Sequence, residues 1–407
     1  MPAKKPEVLI VGAGPVGLFA ALSLARRGIA VTIADRDWRT GAHSYALALH
    51  GQTLALLEDC GLKEQVLEGA LPVASVGLYD DRARRACVPL ESSPAAVLRQ
   101  DVLEGLLERA LERAGVSVLW NHEVSLLRED RGLVTARIDR LEKESMGYAS
   151  ARTEWVVARS WDLEVPWVIG ADGHRSTVRQ SLGIDFPTVG WASQFAVFEF
   201  AAPGVDPELR IVLGRDGTGA LWPMPGGHCR WSFEVPPAVP AEVREKHRLA
   251  VQLGQESFSL LDEDSLRDLV RRRAPWFTAE IGELCWRILV QFERRLAASF
   301  GKGRMWLAGD AAHVTGPVGM QSMNVGLGEA AALADALTGI LCEGRSADVL
   351  EEYNRHGQAQ WRTLLGAAGP EPAAAADPWL RQHARRILES IPASGAVLES
   401  AMRTLGL

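Results

Sequence analysis

The sequence has little of what marks a secreted, nucleic-acid-binding or membrane-spanning protein. Its 407 residues hold five cysteines, Cys60, Cys87, Cys229, Cys285 and Cys342, with no C-x-x-C pair. Such scatter gives neither a disulfide framework nor a metal site, and it fits a reducing, cytoplasmic location. Acidic residues outnumber basic ones, 51 to 44, for a formal charge of −7, and no basic run stands out. A nucleic-acid partner is therefore not expected. No apolar run approaches the ~20 residues that cross a bilayer. The N-terminus has two lysines but enters a strand within a few residues, without the length or cleavage site of a signal peptide. No internal repeat is visible. What is present, 47% apolar and 23% charged residues, is the composition of an ordinary soluble enzyme. The length fits two packed domains, or one domain with a large insertion.

Residues 8–11 (VLIV) form a short apolar run, followed by Gly12, Gly14 and Gly17 in the spacing G-x-G-x-x-G, with Pro15 and Val16 inside it. A helix pattern runs to Arg27, Gly28 ends it, and a second strand at 30–34 closes on Asp35 and Arg36. Gly12 permits a tight turn, Gly14 lets backbone approach a pyrophosphate, and Gly17 lets helix and strand pack closely. The helix start favours the phosphates, and Asp35 stands where a carboxylate binds ribose. Strand, loop, helix, strand and acid agree on adenine-dinucleotide binding. A second stretch, 305–326 (MWLAGDAAHVTGPVGMQSMNVG), reads as a buried strand broken at Gly309–Asp310, then a Gly-containing loop leading into an Ala/Leu-rich helix. Backbone amides at such a helix start can face a ligand. The bland alternative for it is a strand–turn–helix with no ligand.

A third segment, 168–176 (VIGADGHRS), puts Asp172 and Gly173 after another strand. Three such motifs, in this order over residues 7–341, resemble the class A flavoprotein monooxygenases, the p-hydroxybenzoate hydroxylase-like family. The resemblance implies FAD and NAD(P)H as cofactors. It gives Asp172 and Gly173 a dual role near both, and Gly309 and Asp310 the flavin ribityl chain. Residues 98–107 (LRQDVLEGLL) look like the family helix whose leading Arg and Gln reach the flavin, which assigns Arg99 and Gln100; an exposed Arg at a helix start is the alternative. Pro317, Gly319, Gln321, Asn324 and Gly326 match the family loop P-x-G-G-Q-G-x-N-x-G beside the flavin ring, with Met323 within it. Met320 and Ser322 stand where the family usually has Gly. Those glycines let backbone amides crowd the ring. At residues 41–50 the family normally has an Arg where this chain has Tyr45, preceded by His43 and Ser44. Tyr45 either bonds the cofactor, takes part in proton transfer or simply packs.

The fold class expected is α/β: a Rossmann-like FAD-binding domain with an inserted antiparallel-sheet substrate domain and a helical C-terminal tail. The boundaries are 6–73, 96–185 and 293–345 for the FAD-binding parts, 74–95 and 186–292 for the substrate parts, and 346–407 for the tail. Residues 220–235 read as a hairpin with Gly226–Gly227 at its turn, and 241–273 as a charged helix. Trp191, Phe195, Phe198, Trp222, Met224 and Trp231 point to a small, flat, apolar aromatic substrate, two or three of them touching it. The chain is too short for the thioredoxin-like C-terminal domain of some relatives. A tail over the cavity, or a monomer or homodimer contact, is the remaining use.

The implied reaction is NAD(P)H-dependent reduction of FAD, then O2 and a C4a-hydroperoxyflavin that hydroxylates a phenol- or quinone-like, aromatic or polycyclic secondary-metabolite scaffold. His43, Tyr45 and His228 are the candidates for the proton step, with His313 expected to be structural. Alternatives are an FAD-binding protein without oxygen chemistry, a flavin reductase or saturase, and a flavin-dependent halogenase. The halogenase W-x-W-x-I-P segment is missing despite thirteen Trp.

Overall fold

A computed structural model describes residues 5–38, 47–90, 94–146, 152–236, 261–366 and 377–407. The short apolar runs become the centre of a six-stranded sheet. Its order is Gly301–Lys302, Met305–Leu307, Trp167–Gly170, Val8–Val11, Val31–Asp35, Leu119–Trp120. All pairs are parallel except the first. Val8–Val11 and Trp167–Gly170 are buried at every position, which is why they read as unbroken apolar runs rather than alternating ones. The α/β fold expected from the sequence is the one observed.

Residues 122–165 add what sequence patterning did not resolve, a three-stranded antiparallel meander of His122–Asp130, Leu133–Met146 and Arg152–Val165. A seven-stranded sheet collects the inserted segments in the order Leu284–Phe292, Ser193–Ala201, His228–Val235, Gly217–Met224, Glu208–Gly214, Ser75–Tyr79, Arg84–Pro89. It is antiparallel except where Glu208–Gly214 meets Ser75–Tyr79. The hairpin turn has Gly226 and Gly227 at φ +76° and +73°, where a Cβ would be strained.

Strand alternation sorts the aromatic residues. Phe195, Trp222 and Met224 join the core shared with the six-stranded sheet. Phe198 and Trp231 point the other way, into a separate core under the helix Glu263–Arg273. Trp191 is 91% exposed. The six aromatic and apolar residues read together as cavity candidates therefore split by face, because neighbouring positions on a strand project to opposite sides. Of the charged helix expected over 241–273, only the last part lies within the described residues.

The 23-residue helix Gln321–Glu343 has the length and composition to cross a bilayer, but half of its most apolar stretch is buried inside the molecule, as in a core helix. It packs on Pro15–Arg26 so closely that a Cβ at Gly326 would lie 2.9 Å from Gly309 Cα and from Val16 Cγ2. Asp348–Leu364 packs against it, while Pro378–Ser390 and Gly395–Thr404 touch the strands Glu208–Gly214 and Arg84–Pro89 of the seven-stranded sheet.

One buried acid knits these elements together. Glu329 accepts from the Gly309 amide (2.9 Å) and from Trp361 Nε1 (2.8 Å), and it meets His313 Nε2 at 2.8 Å. His313, expected to be structural, is fully buried and stacks on Trp361 at 3.7 Å. Glu329→Gln turns an amide NH2 toward one of these donors. It is expected to cost roughly 2–4 kcal/mol of stability, read as a lower urea midpoint with unchanged m-value.

Candidate functional site

Three loops meet because three parallel strands end level. Val11 pairs with Gly170 and Gly170 with Leu307. Gly12, Ala171–Asp172 and Ala308–Asp310 thus leave the sheet side by side, at the edge where ligands bind in such sheets. The glycines of the first loop differ in what surrounds them. A Cβ at Gly12, φ +99°, would strike the Ala171 carbonyl, and one at Gly17 would strike the Gly12 oxygen. Gly14 has nothing within 4 Å on its Cβ side. It caps the helix Pro15–Arg26, whose first amides receive no side-chain cap. An open glycine before uncapped amides suits a diphosphate.

Asp35 accepts from the Ala13 amide at 2.6 Å and the Asp37 amide at 2.8 Å, so it shapes the glycine loop as well as ending its strand. Burial pushes its carboxyl up from the usual range, against those two bonds. Arg36 is exposed beside it. Asp172 Oδ2 accepts from the first two amides of the short helix Thr177–Ser181, Thr177 and Val178, at 2.7 and 3.2 Å, while Ser176 is its cap. Its Oδ1 is buried with no partner among the described residues, an orphan acceptor at the loop junction. Burial raises its carboxyl too. Gly173 takes φ +73°. Arg179, not singled out in the sequence, joins two of the loops: it donates to Ala311 O (2.7 Å) and His174 O (2.8 Å).

Gly309 sits at φ +63° and Asp310 is exposed toward the loop edge. Asp310 accepts from Ser322 Oγ at 2.6 Å, so the serine that replaces a family glycine is tied to the Gly–Asp motif. Met320 holds φ +53°, ψ +31°, a left-handed conformation that costs a non-glycine residue about 1–2 kcal/mol. Pro317 is buried and Met323 half-buried. A Cβ at Gly319 would run into Glu389 O. Gln321 donates to Ile391 O and Ala393 O at 2.8 and 2.9 Å, and its Oε1 is buried without a partner among the described residues. Asn324 is committed to protein: it donates to Ala48 O and Met320 O, and accepts from the His50 amide and Thr53 Oγ1.

Across the site, the helix Gln100–Arg113 begins uncapped at Arg99. Arg99 reaches Glu199 at 3.4 Å, and Glu199 also holds the buried Arg230, two charges on the sheet face toward the six-stranded sheet. His228 lies at the hairpin end, opposite Ala201 and Met224, and no contact among the described residues ties it to Asp172 or Asp310. His43 and Tyr45 fall outside the described residues.

His50 was missed for want of a motif. It is 1% exposed, and Nε2 lies 2.9 Å from Gly319 O. A carbonyl only accepts, so Nε2 carries the hydrogen. Ser394 Oγ is 3.5 Å from Nδ1 and bonds Gln52. The C-terminal segment and the residues after the 41–46 stretch thus grip the 317–326 loop together.

A family model described as an FAD binding domain matches residues 5–367. The 6-methylpretetramide 4-monooxygenase of Streptomyces rimosus is 30% identical over 86% of this chain and 58% of its own length. The para-nitrophenol 4-monooxygenase of Pseudomonas sp. (strain WBC-3) is 27% identical over 85% of this chain and 81% of its own. The chain thus spans under two thirds of the first relative. Among solved structures, p-nitrophenol 4-monooxygenase from Pseudomonas putida DLL-E4 superposes with a TM-score of 0.72 at 23% identity, covering 99% of this chain and 96% of that one. A ternary complex of aklavinone-11 hydroxylase with FAD and aklavinone gives 0.65 at 22% identity, covering 90% and 67%. These two likenesses show the fold.

Two outcomes follow from the geometry. Gly14→Ala is expected to keep wild-type urea stability but to weaken FAD binding at least about tenfold in apoprotein titrations, whereas Gly17→Ala loses roughly 2–4 kcal/mol of stability through backbone overlap. Burial lowers His50 to about 4. Its folded pKa lies below the unfolded value, so its contribution is present above pH 6.5 and is lost as pH falls toward 4. Between pH 7 and 5 the stability advantage of wild type over His50→Gln should narrow by up to about 2 kcal/mol. A constant gap would show that His50 is not the titrating group.

Proposed function

The chain belongs to the FAD binding domain family, and from that premise we propose that it is an NAD(P)H-consuming monooxygenase that hydroxylates an aromatic or polycyclic, phenol- or quinone-like small molecule. The observation that carries this reading is the level ending of Val8–Val11, Trp167–Gly170 and Met305–Leu307. It brings the glycine loop, Asp172 and Asp310 to one edge, with an open Gly14 and an orphan Asp172 oxygen that fit a dinucleotide. The names of relatives acting on 6-methylpretetramide and para-nitrophenol support an aromatic substrate.

When bound, FAD supplies the acceptance of hydride and the activation of O2. The chain's own residues supply the rest. The amides after Gly14 and the start of Gln100–Arg113 bind the phosphates. Asp35 and Asp310 accept from ribose and ribityl hydroxyls. His50, Gln321 and Asn324 hold the 317–326 loop so that its amides face the ring. The sheet face carrying Phe195, Val197, Ile211, Ala220, Trp222 and Met224 excludes water and orients a flat substrate. In the same reading the seven-stranded sheet is the substrate domain, inserted at 74–95 and 186–292. A second reading, an FAD-binding protein or reductase without oxygen transfer, is favoured by one observation, the left-handed Met320 beside a Ser322 turned onto Asp310.

Anaerobic reduction of the FAD-loaded protein by NADPH or NADH, with and without a panel of phenols and quinones, separates the two. The expected result is reduction accelerated at least about tenfold by one aromatic class and, after O2 is admitted, a product heavier by one oxygen. Tight FAD binding with no ligand-dependent reduction and no oxygenated product sinks the monooxygenase reading.

A further inference from the structure

Glu104 is an acid in the wrong place for an ordinary helix. It lies one turn into Gln100–Arg113, on the same face as Gln100, and is 3% exposed. Oε1 accepts from Gln100 Nε2 at 2.7 Å. Oε2 is closed off from water and has no partner among the described residues. Burying a carboxyl in this way carries a desolvation cost that Leu at the same position avoids.

Its surroundings are acidic. Asp35 faces it from the strand Val31–Asp35, and Asp101 and Glu108 from its own helix. Glu108 is occupied by Trp120 Nε1 at 2.8 Å. Helix Pro15–Arg26, packed against it, carries no charge before Arg26. Helix Lys63–Gly69 offers Lys63, paired with Glu58, and the exposed Glu64 and Glu68. Asp35 itself is bonded to the glycine loop through Ala13, so Glu104 acts on the acid that holds the loop proposed to face the cofactor's phosphates.

We propose that Glu104 is a positioning residue of the FAD site, which orients the Gln100 amide and takes up a proton when the anionic cofactor arrives. Burial, with the charges of Asp101 and Asp35 added, pushes its carboxyl up to about 7. Below that value Glu104 is already neutral and FAD binding needs no proton. Above it, the ionised form must be neutralised before a diphosphate settles in front of it. Affinity then falls as pH rises, by up to about tenfold per unit. The inference rests on the FAD reading, and its test separates the two.

Apoprotein is titrated with FAD by calorimetry from pH 6 to 9 in phosphate and in Tris, whose ionisation heats differ. Wild type is expected to bind with a fraction of a proton taken up near pH 8, none at pH 6, and weaker affinity at the higher pH. Glu104→Gln, checked by its thermal midpoint, should bind FAD with no uptake and a flat profile. Glu104→Ala should bind more weakly at every pH, since Gln100 loses its anchor. No proton uptake by wild type between pH 6 and 9 overturns the proposal whatever the variants do, and so does a Glu104→Gln profile that follows wild type. A wild-type protein that binds no FAD defeats the FAD reading instead.

Discussion

The register of three parallel strands fixes everything else about this molecule. They come from residues 8–11, 167–170 and 305–307, separated by segments long enough to hold whole subdomains. Their ends are level because hydrogen-bonded neighbours in a parallel ladder must be in register. A slip of one residue would flip the strand's side chains to the opposite face and move Asp172 or Asp310 off the shared edge.

Bringing three loops together has a steric cost, and glycine meets it at two places. At the first, Gly12 and Gly17 let the glycine loop lie against Ala171 and against its own next turn. At the second, Gly326 lets the helix Gln321–Glu343 touch Gly309 and Val16. The polar cross-links follow the same geography: Arg179 spans the second and third loops, Glu329 ties the third to the helices behind it, and Asn324 ties the 317–326 loop to Ala48 and His50. Packing brings the loops to one place, and these bonds then select a single arrangement.

The three loops were legible because each is local: strand, glycine and acid fall within a few residues, and the spacing carries the geometry. The residues that hold the loops were not. His50 meets Gly319 across 269 positions, Arg179 meets Ala311 across 132, and Trp361 meets Glu329 across 32. No local pattern announces such partners. Glu104 lies within residues 98–107, but a helix of mixed polarity does not say which face it buries. The aromatic residues were half legible. Trp222 lies opposite Arg230 and Trp231 opposite Leu221, so the two rings sit at neighbouring positions that face opposite ways, but only the neighbouring sheet and helix say which face meets which core.

The loop that departs from the family pattern shows how a local misfit is absorbed. A left-handed residue is needed at 320 to turn the chain into the helix Gln321–Glu343, and Met accepts it while only 7% exposed. Its strain is offset by side-chain burial and by bonds on both sides, His50 to Gly319 and Asn324 to Met320. Ser322 adds a bond to Asp310 that glycine could not make. A glycine-rich version of this loop would be free to sample several shapes. This one is pinned by the C-terminal carbonyls of Ile391 and Ala393 on one side and by Asp310 on the other. The departures therefore exchange backbone freedom for fixed contacts, and the tail after Asp377 is bonded into this loop through Ile391 and Ala393.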